Sequence, residues 1–202
     1  MRKSINMVEN ERIDSICAQY KITNYTINLD GTIDIDGSVD LNNRNLTKLP
    51  LRFGVVSGNF LCCLNQLTTL VGSPRTVGGD FYSYSNKLLQ NLIGSPVSVG
   101  GKFRCSFSGL TSLEGSPANV GKLYDCISNP NLNNTYSGGV DIEVGGGFKS
   151  INTKLPLQIV NNIKHIKTIL KYQRYFSIWN DDLSLNINNF NDLITDIEEG
   201  LE

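Results

Sequence analysis

The sequence predicts an α/β chain folded as a short right-handed solenoid, with a parallel strand face, few helices in its repeats and helical caps at both ends. Three observations predict it. A unit of 21 or 22 residues recurs in register. Each unit opens on residues that alternate between apolar or small and outward-facing types, the period of a strand. The flanks lose this unit and take up helical spacing instead.

At the N-terminus, Ile13, Ile16, Cys17 and Tyr20 follow i, i+3, i+4, i+7 spacing, which predicts a short amphipathic helix over 8–19. Tyr25 and Ile27 then alternate before Asp30-Gly31, and Ile33 and Ile35 alternate after it. Asp-Gly between alternating runs signals a hairpin, because both residues accept the backbone angles of a tight turn. Val39 and Leu41 lie one period before Phe60 and Cys62, so the meander leads into the first coil. Residues 1–41 are read as an N-terminal helix-and-meander cap.

The repeats occupy 42–153 as about five coils. Leu67-Thr68-Thr69-Leu70-Val71-Gly72-Ser73-Pro74 precedes Val77-Gly78-Gly79-Asp80-Phe81. Leu89-Gln90-Asn91-Leu92-Ile93-Gly94-Ser95-Pro96 precedes Val99-Gly100-Gly101-Lys102-Phe103, and Leu110-Thr111-Ser112-Leu113-Glu114-Gly115-Ser116-Pro117 precedes Val120-Gly121-Lys122-Leu123-Tyr124. Leu46 to Phe60 is a looser copy upstream. One strand per unit is expected, beginning at Phe60, Phe81, Phe103 and Tyr124, in the pattern aromatic, x, small, x, x, Asn, x, Leu. First and third positions point inward. Asn65, Asn86 and Asn129 fall where the chain leaves the strand, and their amides are expected to bond backbone groups of neighbouring coils. Ser108 replaces that Asn in one coil. The Gly-Ser-Pro and Val-Gly-Gly segments are read as turns, and Val140 to Val144 as one last strand.

These units resemble the short leucine-rich repeat, Leu-x-x-Leu-x-Leu-x-x-Asn-x-Leu, over residues 46–132. The segment Leu-Thr-Ser-Leu-Glu-Gly-Ser-Pro followed by Val-Gly-Gly-x-Phe is similar to a repeat family of tailed bacteriophages and large DNA viruses. Phe or Tyr stands where that pattern begins its strand on Leu, and Ser or Cys replaces the next inward Leu. The resemblance implies a viral protein acting inside a host cell, with a host protein, such as a component of antiviral defence, as its partner.

Residues 154–202 form the C-terminal cap. Pro156 is suited to opening a helix in which Ile159, Ile163, Ile166 and Ile169 or Leu170 share a face. A second helix is expected from Asn188, with Phe190, Leu193, Ile194, Ile197 and Leu201 as its apolar stripe. Lys164, Lys167, Lys171 and Arg174 mark the first helix, and Asp192, Asp196, Glu198, Glu199 and Glu202 the second. Packed antiparallel, the two would complement each other.

Lys plus Arg total 18 against 19 Asp plus Glu. That balance opposes sequence-independent nucleic-acid binding, which relies on excess cations. Hydrophobic residues make up 40% of the chain, too many for disorder. No apolar run approaches the ~20 residues of a membrane helix, and no apolar stretch follows the basic start as in a secretory signal. The five cysteines lack zinc-type spacing and suit a reducing compartment. The expectation is a soluble cytoplasmic protein without nucleic-acid or membrane partners.

Enzymatic motifs are not met. Gly145-Gly146-Gly147-Phe148-Lys149-Ser150 departs from a phosphate loop, because Phe148 stands where a second Gly must precede the Lys; a flexible coil-to-cap connection is expected there. The single histidine, His165, lies outside the strand register of Cys62, Cys105 and Cys126, which read as core fillers. Cys63 is expected outward and accessible. No catalytic residue, cofactor or metal site is assigned.

The candidate site is the outward stripe of the strands: Leu61, Cys63 and Leu64, then Tyr82 and Tyr84, then Arg104 and Phe107, then Asp125 and Ile127, with Ser85, Ser106 and Ser128 between them. Coils stacked about 4.8 Å apart would make these one surface. Its Tyr, Phe, Leu and Arg content is that of a protein-binding patch. The function expected is noncatalytic protein recognition. The alternative is a virion structural or assembly component that self-associates through the same stripe; a third reading, ranked below both, is an enzyme whose site lies at the junction of the last coil and the helical cap.

Overall fold

The computed structural model describes residues 2–202, with side chains from Met7 onward. Helix α1, Arg2–Tyr20, is followed by the antiparallel hairpin of β1, Tyr25–Ile27, and β2, Ile33–Ile35. The helix thus starts earlier than the apolar spacing indicated. Ile13 and Cys17 are its buried contacts with the core.

The remainder is a parallel-strand β-solenoid of about six turns. Each turn carries two short strands rather than one. The first set comprises β3 (Val39–Asp40), β5 (Phe60–Leu61), β7 (Phe81–Tyr82), β9 (Phe103–Arg104), β11 (Tyr124–Asp125) and β13 (Phe148–Lys149), which form a six-stranded parallel sheet, here sheet B. The second comprises β4 (Phe53–Val56), β6 (Thr76–Val77), β8 (Ser98–Val99), β10 (Asn119–Val120) and β12 (Glu143–Val144). These stack in parallel on β2 to make sheet A, with β1 at its edge. The Val of each Val-Gly-Gly segment is therefore the last residue of a strand, and the glycines turn the chain from sheet A to sheet B. Backbone proximity explains them: a Cβ on Gly100 would collide with the carbonyl oxygen of Gly78 in the preceding coil.

The sixth turn corrects the reading of 145–150. Val144-Gly145-Gly146-Gly147-Phe148 is another copy of the sheet A to sheet B corner, and Phe148 lies in register with Tyr124. The last strand of sheet A is Glu143–Val144 alone, shorter than the segment 140–144 suggested.

Between the sheets runs an aromatic spine. Phe60, Phe81 and Phe103 are fully buried and stacked at 5.5 and 5.4 Å between ring centroids. Tyr124 continues the column 5.1 Å from Phe103, and its hydroxyl is satisfied by Ser116 Oγ at 2.7 Å. Each such pair adds about 0.5–1.5 kcal/mol to the burial itself. Cys62, Ser83, Cys105 and Cys126 fill the third positions behind the rings, all fully buried.

Backbone pairing with the next coil continues beyond each two-residue strand, as from Cys62 N to Tyr82 O and from Leu64 N to Tyr84 O, as far as a sharp corner. The fifth residues, Asn43, Leu64, Ser85, Phe107, Ser128 and Asn152, all have left-handed φ between 52° and 59°. This corner turns the sixth side chain inward, where Asn65, Asn86 and Asn129 bridge two coils. Asn86 donates to Ser83 O of its own coil (2.8 Å) and to Cys62 O of the one before (3.1 Å), and accepts from Leu67 N (3.0 Å). Asn129 donates in the same way to Cys126 O and Cys105 O. Ser108 reaches only Ser106 O and the Asn86 N–H. The coil after Asn86 holds one additional residue, so Leu88 is exposed and Leu89 takes the inward place that the eight-residue pattern gave to Leu88.

The C-terminal segment forms α2 (Leu157–Asn161), a 3-10 turn (Ile163–His165), α3 (Ile166–Tyr172) and α4 (Ile187–Glu198). The first expected helix is interrupted at Asn162, and the tighter turn rotates Ile163 out of the stripe, leaving it exposed while Ile159, Ile166, Ile169 and Leu170 are buried. Helix α3 packs on β12 and on α4. Gln173, buried, accepts from Trp179 Nε1 at 2.9 Å and from Thr135 Oγ1 at 3.1 Å, tying this segment to the last coils. Of the basic and acidic sets, Lys171 donates to the main-chain oxygen of Glu202, whereas Arg174 pairs with Asp141 at 3.5 Å, and among the described residues no side-chain ion pair joins α3 to α4.

Candidate functional site

Alternation along sheet B places second and fourth residues on its outer face. Tyr82 and Tyr84, from the third rung, are both half-buried there, while their neighbours Phe81 and Ser83 are fully inside. In-register pairing sets Arg104 beside Tyr82 and Asp125 beside Arg104. The Arg104 guanidinium lies 5.5 Å from the centroid of the Tyr82 ring and 5.6 Å from that of Tyr84. Its Nε donates to Asp125 Oδ2 at 3.0 Å. A planar cation on two aromatic faces, fixed by a carboxylate, is a preorganised group.

Asp125 is not an exposed contact residue. It is 3% exposed, with Oδ2 held by Arg104 and Oδ1 accepting the Ile127 N–H. Cys63 is likewise corrected: it is buried beside Tyr84, its in-register neighbour one coil on. Burial pushes the Cys63 thiol up to about 12, so the thiolate that nucleophilic chemistry requires is disfavoured. The expectation failed because a small side chain between larger ones is covered even when it points outward. Ser106 is also fully buried for its position on this face.

Leu61 and Ile127 are partly exposed, and Leu64 and Phe107 project from the left-handed corners with 52% and 44% exposure. They occupy the coils on either side of Tyr84. Ser85 and Ser128 fill the corresponding corners, partly exposed. Two participants were missed by sequence reasoning. Asp80 Oδ2 accepts the Tyr82 hydroxyl at 2.7 Å, and its Oδ1 accepts the Lys102 N–H at 2.8 Å. Asn42 Oδ1 accepts the Cys63 N–H. The signal for Asp80 was its i, i+2 relation to Tyr82, which puts both on one strand face. Burial and the bond to Asp80 push the Tyr82 phenol up to about 12.

Elsewhere, a groove of about 1280 Å³ separates α1 from residues 45–52, and one of about 860 Å³ lies between β10, β12, α3 and the chain end. His165 borders the second, with its Nε2 buried and without a hydrogen-bond partner. Among the described residues, no group of three or more His, Cys, Asp or Glu is placed to hold a metal ion. No described helix is long and apolar enough to cross a membrane. Comparison with protein-family models, with curated proteins and with solved structures finds no match to this chain.

Proposed function

We propose that the chain is a noncatalytic protein-binding module whose contact surface is the outer face of sheet B. The observation that carries this reading is the pair Leu64 and Phe107. A bulky residue in left-handed backbone costs about 1–2 kcal/mol, and leaving its apolar side chain half in water forgoes the gain of burial. Asn43 and Asn152 hold the same corner in the end coils with the residue type that suits it. The fold buries only about half of Leu64 and Phe107, and a partner covering them would recover the rest. The Tyr82, Tyr84 and Arg104 cluster between them supplies the rigid aromatic and guanidinium anchors of interface hot spots.

The resemblance of the repeats to a viral family makes a host protein, met in the host cytoplasm, the partner of this proposal. The leucine-rich-repeat character of the units and a capping role for the helices belong to the same reading, since a solenoid needs its terminal apolar surfaces closed. The test is Tyr82→Ala with Phe107→Asp, assayed by pull-down from host lysate with circular dichroism as the folding control. Loss of a specific partner by a folded variant is expected, and undiminished capture would remove the face from consideration.

One observation favours the second reading, self-association in an assembly. Strand β13 ends sheet B without a further strand, and Ile151 beyond it is 70% exposed. Light scattering distinguishes the two: concentration-dependent growth supports assembly, and a strict monomer at high concentration opposes it.

A further inference from the structure

We propose that the segment bound on sheet B is acidic, a peptide stretch carrying Asp or Glu beside an apolar residue, with Arg104 as the central contact; this inference rests on the protein-binding reading above. Two of the three carboxylates on this face are engaged within the protein, and the third, Asp40, is exposed in the first rung, in register with Leu61 and two rungs from Tyr82. Asp125 is buried and engaged through both oxygens by Arg104 and the Ile127 N–H. Asp80 is engaged through both oxygens by the Tyr82 hydroxyl and the Lys102 N–H.

Two lysines of the face are exposed. Lys102 shares the face of Arg104 by i, i+2 spacing and is exposed. Lys149 follows Asp125 in register and is exposed. Neither ammonium group takes part in an ion pair, the pairs among the described residues being Arg12–Glu9, Arg104–Asp125 and Arg174–Asp141. Arg104 uses Nε for Asp125, which leaves its terminal nitrogens for an incoming carboxylate, and the two tyrosine rings already hold its plane. A partner seated on the fourth to sixth rungs therefore meets the exposed ammonium groups of Lys102 and Lys149 and the terminal nitrogens of Arg104, with Phe107 beside them and Leu64 two coils away. An acidic and apolar peptide complements both features at once.

The experiment pans a random 12-residue peptide library against the full-length protein and measures the selected peptides on variants by fluorescence anisotropy. Phe107→Asp reports contact with the face. Lys102→Glu with Lys149→Glu reports the charge preference without touching an internal bond, and Arg104→Gln is read only if its melting curve stays cooperative. Expected are peptides enriched in Asp and Glu whose affinity falls at least about tenfold on Phe107→Asp and on the lysine reversal, and weakens with added salt. Peptides that lose binding on Phe107→Asp but are neutral or basic, and indifferent to the lysine reversal, would overturn the acidic assignment while leaving the face a binding site. Peptides that ignore Phe107→Asp, or none selected at all, would overturn both. Competition by a single-stranded oligothymidylate at equal affinity would overturn the acidic peptide in favour of nucleic acid.

Discussion

Replacing Asn86 by Ala removes one rung of the bridging amides while leaving the aromatic spine intact. Asn86 is fully buried and makes three hydrogen bonds to main-chain groups. Cys62 O keeps a second donor after the change, the Asn65 amide at 3.2 Å. Leu67 N–H and Ser83 O lose the partner they have, and Leu67 is itself fully buried. Two stranded groups at about 1–2 kcal/mol each give a loss of about 2–4 kcal/mol. For a chain of this size that is a fall in Tm of about 5–15 °C. Thermal melts followed by circular dichroism, with urea unfolding to confirm an unchanged m-value, read the effect directly. Lys87→Ala, at the exposed next residue, is the matched control and should shift Tm by less than about 2 °C. An Asn86→Ala melt that coincides with this control would refute the claim that side-chain amides join successive coils.

The reverse change, Ser108→Asn, should restore the missing rung by reaching Ser83 O and Cys105 O, as Asn86 reaches Cys62 O and Ser83 O. A gain of about 0.5–1.5 kcal/mol is expected in the same melts, and destabilisation would mean the corner has no room for an amide. All five cysteines are buried, and burial raises their thiol pKa. Ellman's reagent at pH 8 should therefore leave the native protein essentially unlabelled and titrate all five thiols in denaturant; rapid native labelling at Cys63 would contradict its placement. Tyr82, at about 12 when folded, lies above the ~10 of an unfolded tyrosine. The stability it contributes is complete below about pH 10 and is lost as pH rises towards 12, because unfolding there releases a proton. Tyr25, held by Asp14 and also pushed up to about 12, acts in the same window. Urea midpoints should be flat from pH 7 to about 9.5 and fall above it, less steeply in Tyr82→Phe; identical alkaline slopes in the two proteins would show that Tyr82 is not held by Asp80.

The repeat was legible because stacking imposes identity: Phe60, Phe81 and Phe103 recur since each must lie over the last. The inward third positions and the bridging asparagines followed from the same geometry. The second sheet was hidden because its strands span only two residues in most coils, as in Thr76–Val77, too few for alternation to register. Its Val-Gly-Gly segments therefore looked like turns alone. The sixth coil was concealed by the long irregular stretch from Leu132 to Val140, although Val144 to Phe148 repeats the corner plainly. On the site, the outward placement of Tyr82, Tyr84, Arg104, Leu64 and Phe107 was readable from position. The burial of Cys63 and Asp125 was not, because it depends on which long side chain of the neighbouring coil folds over them. The interruption at Asn162 had no marker, since neither Pro nor Gly stands there.

The outer face of sheet B is tested most directly by photo-crosslinking in expressing cells. A benzoylphenylalanine at Phe107 nearly preserves the native side chain, and the same group at exposed Glu143 samples the opposite sheet. The account predicts a discrete protein adduct from position 107 and none from position 143. Adducts confined to position 143, or equal at both, would contradict it.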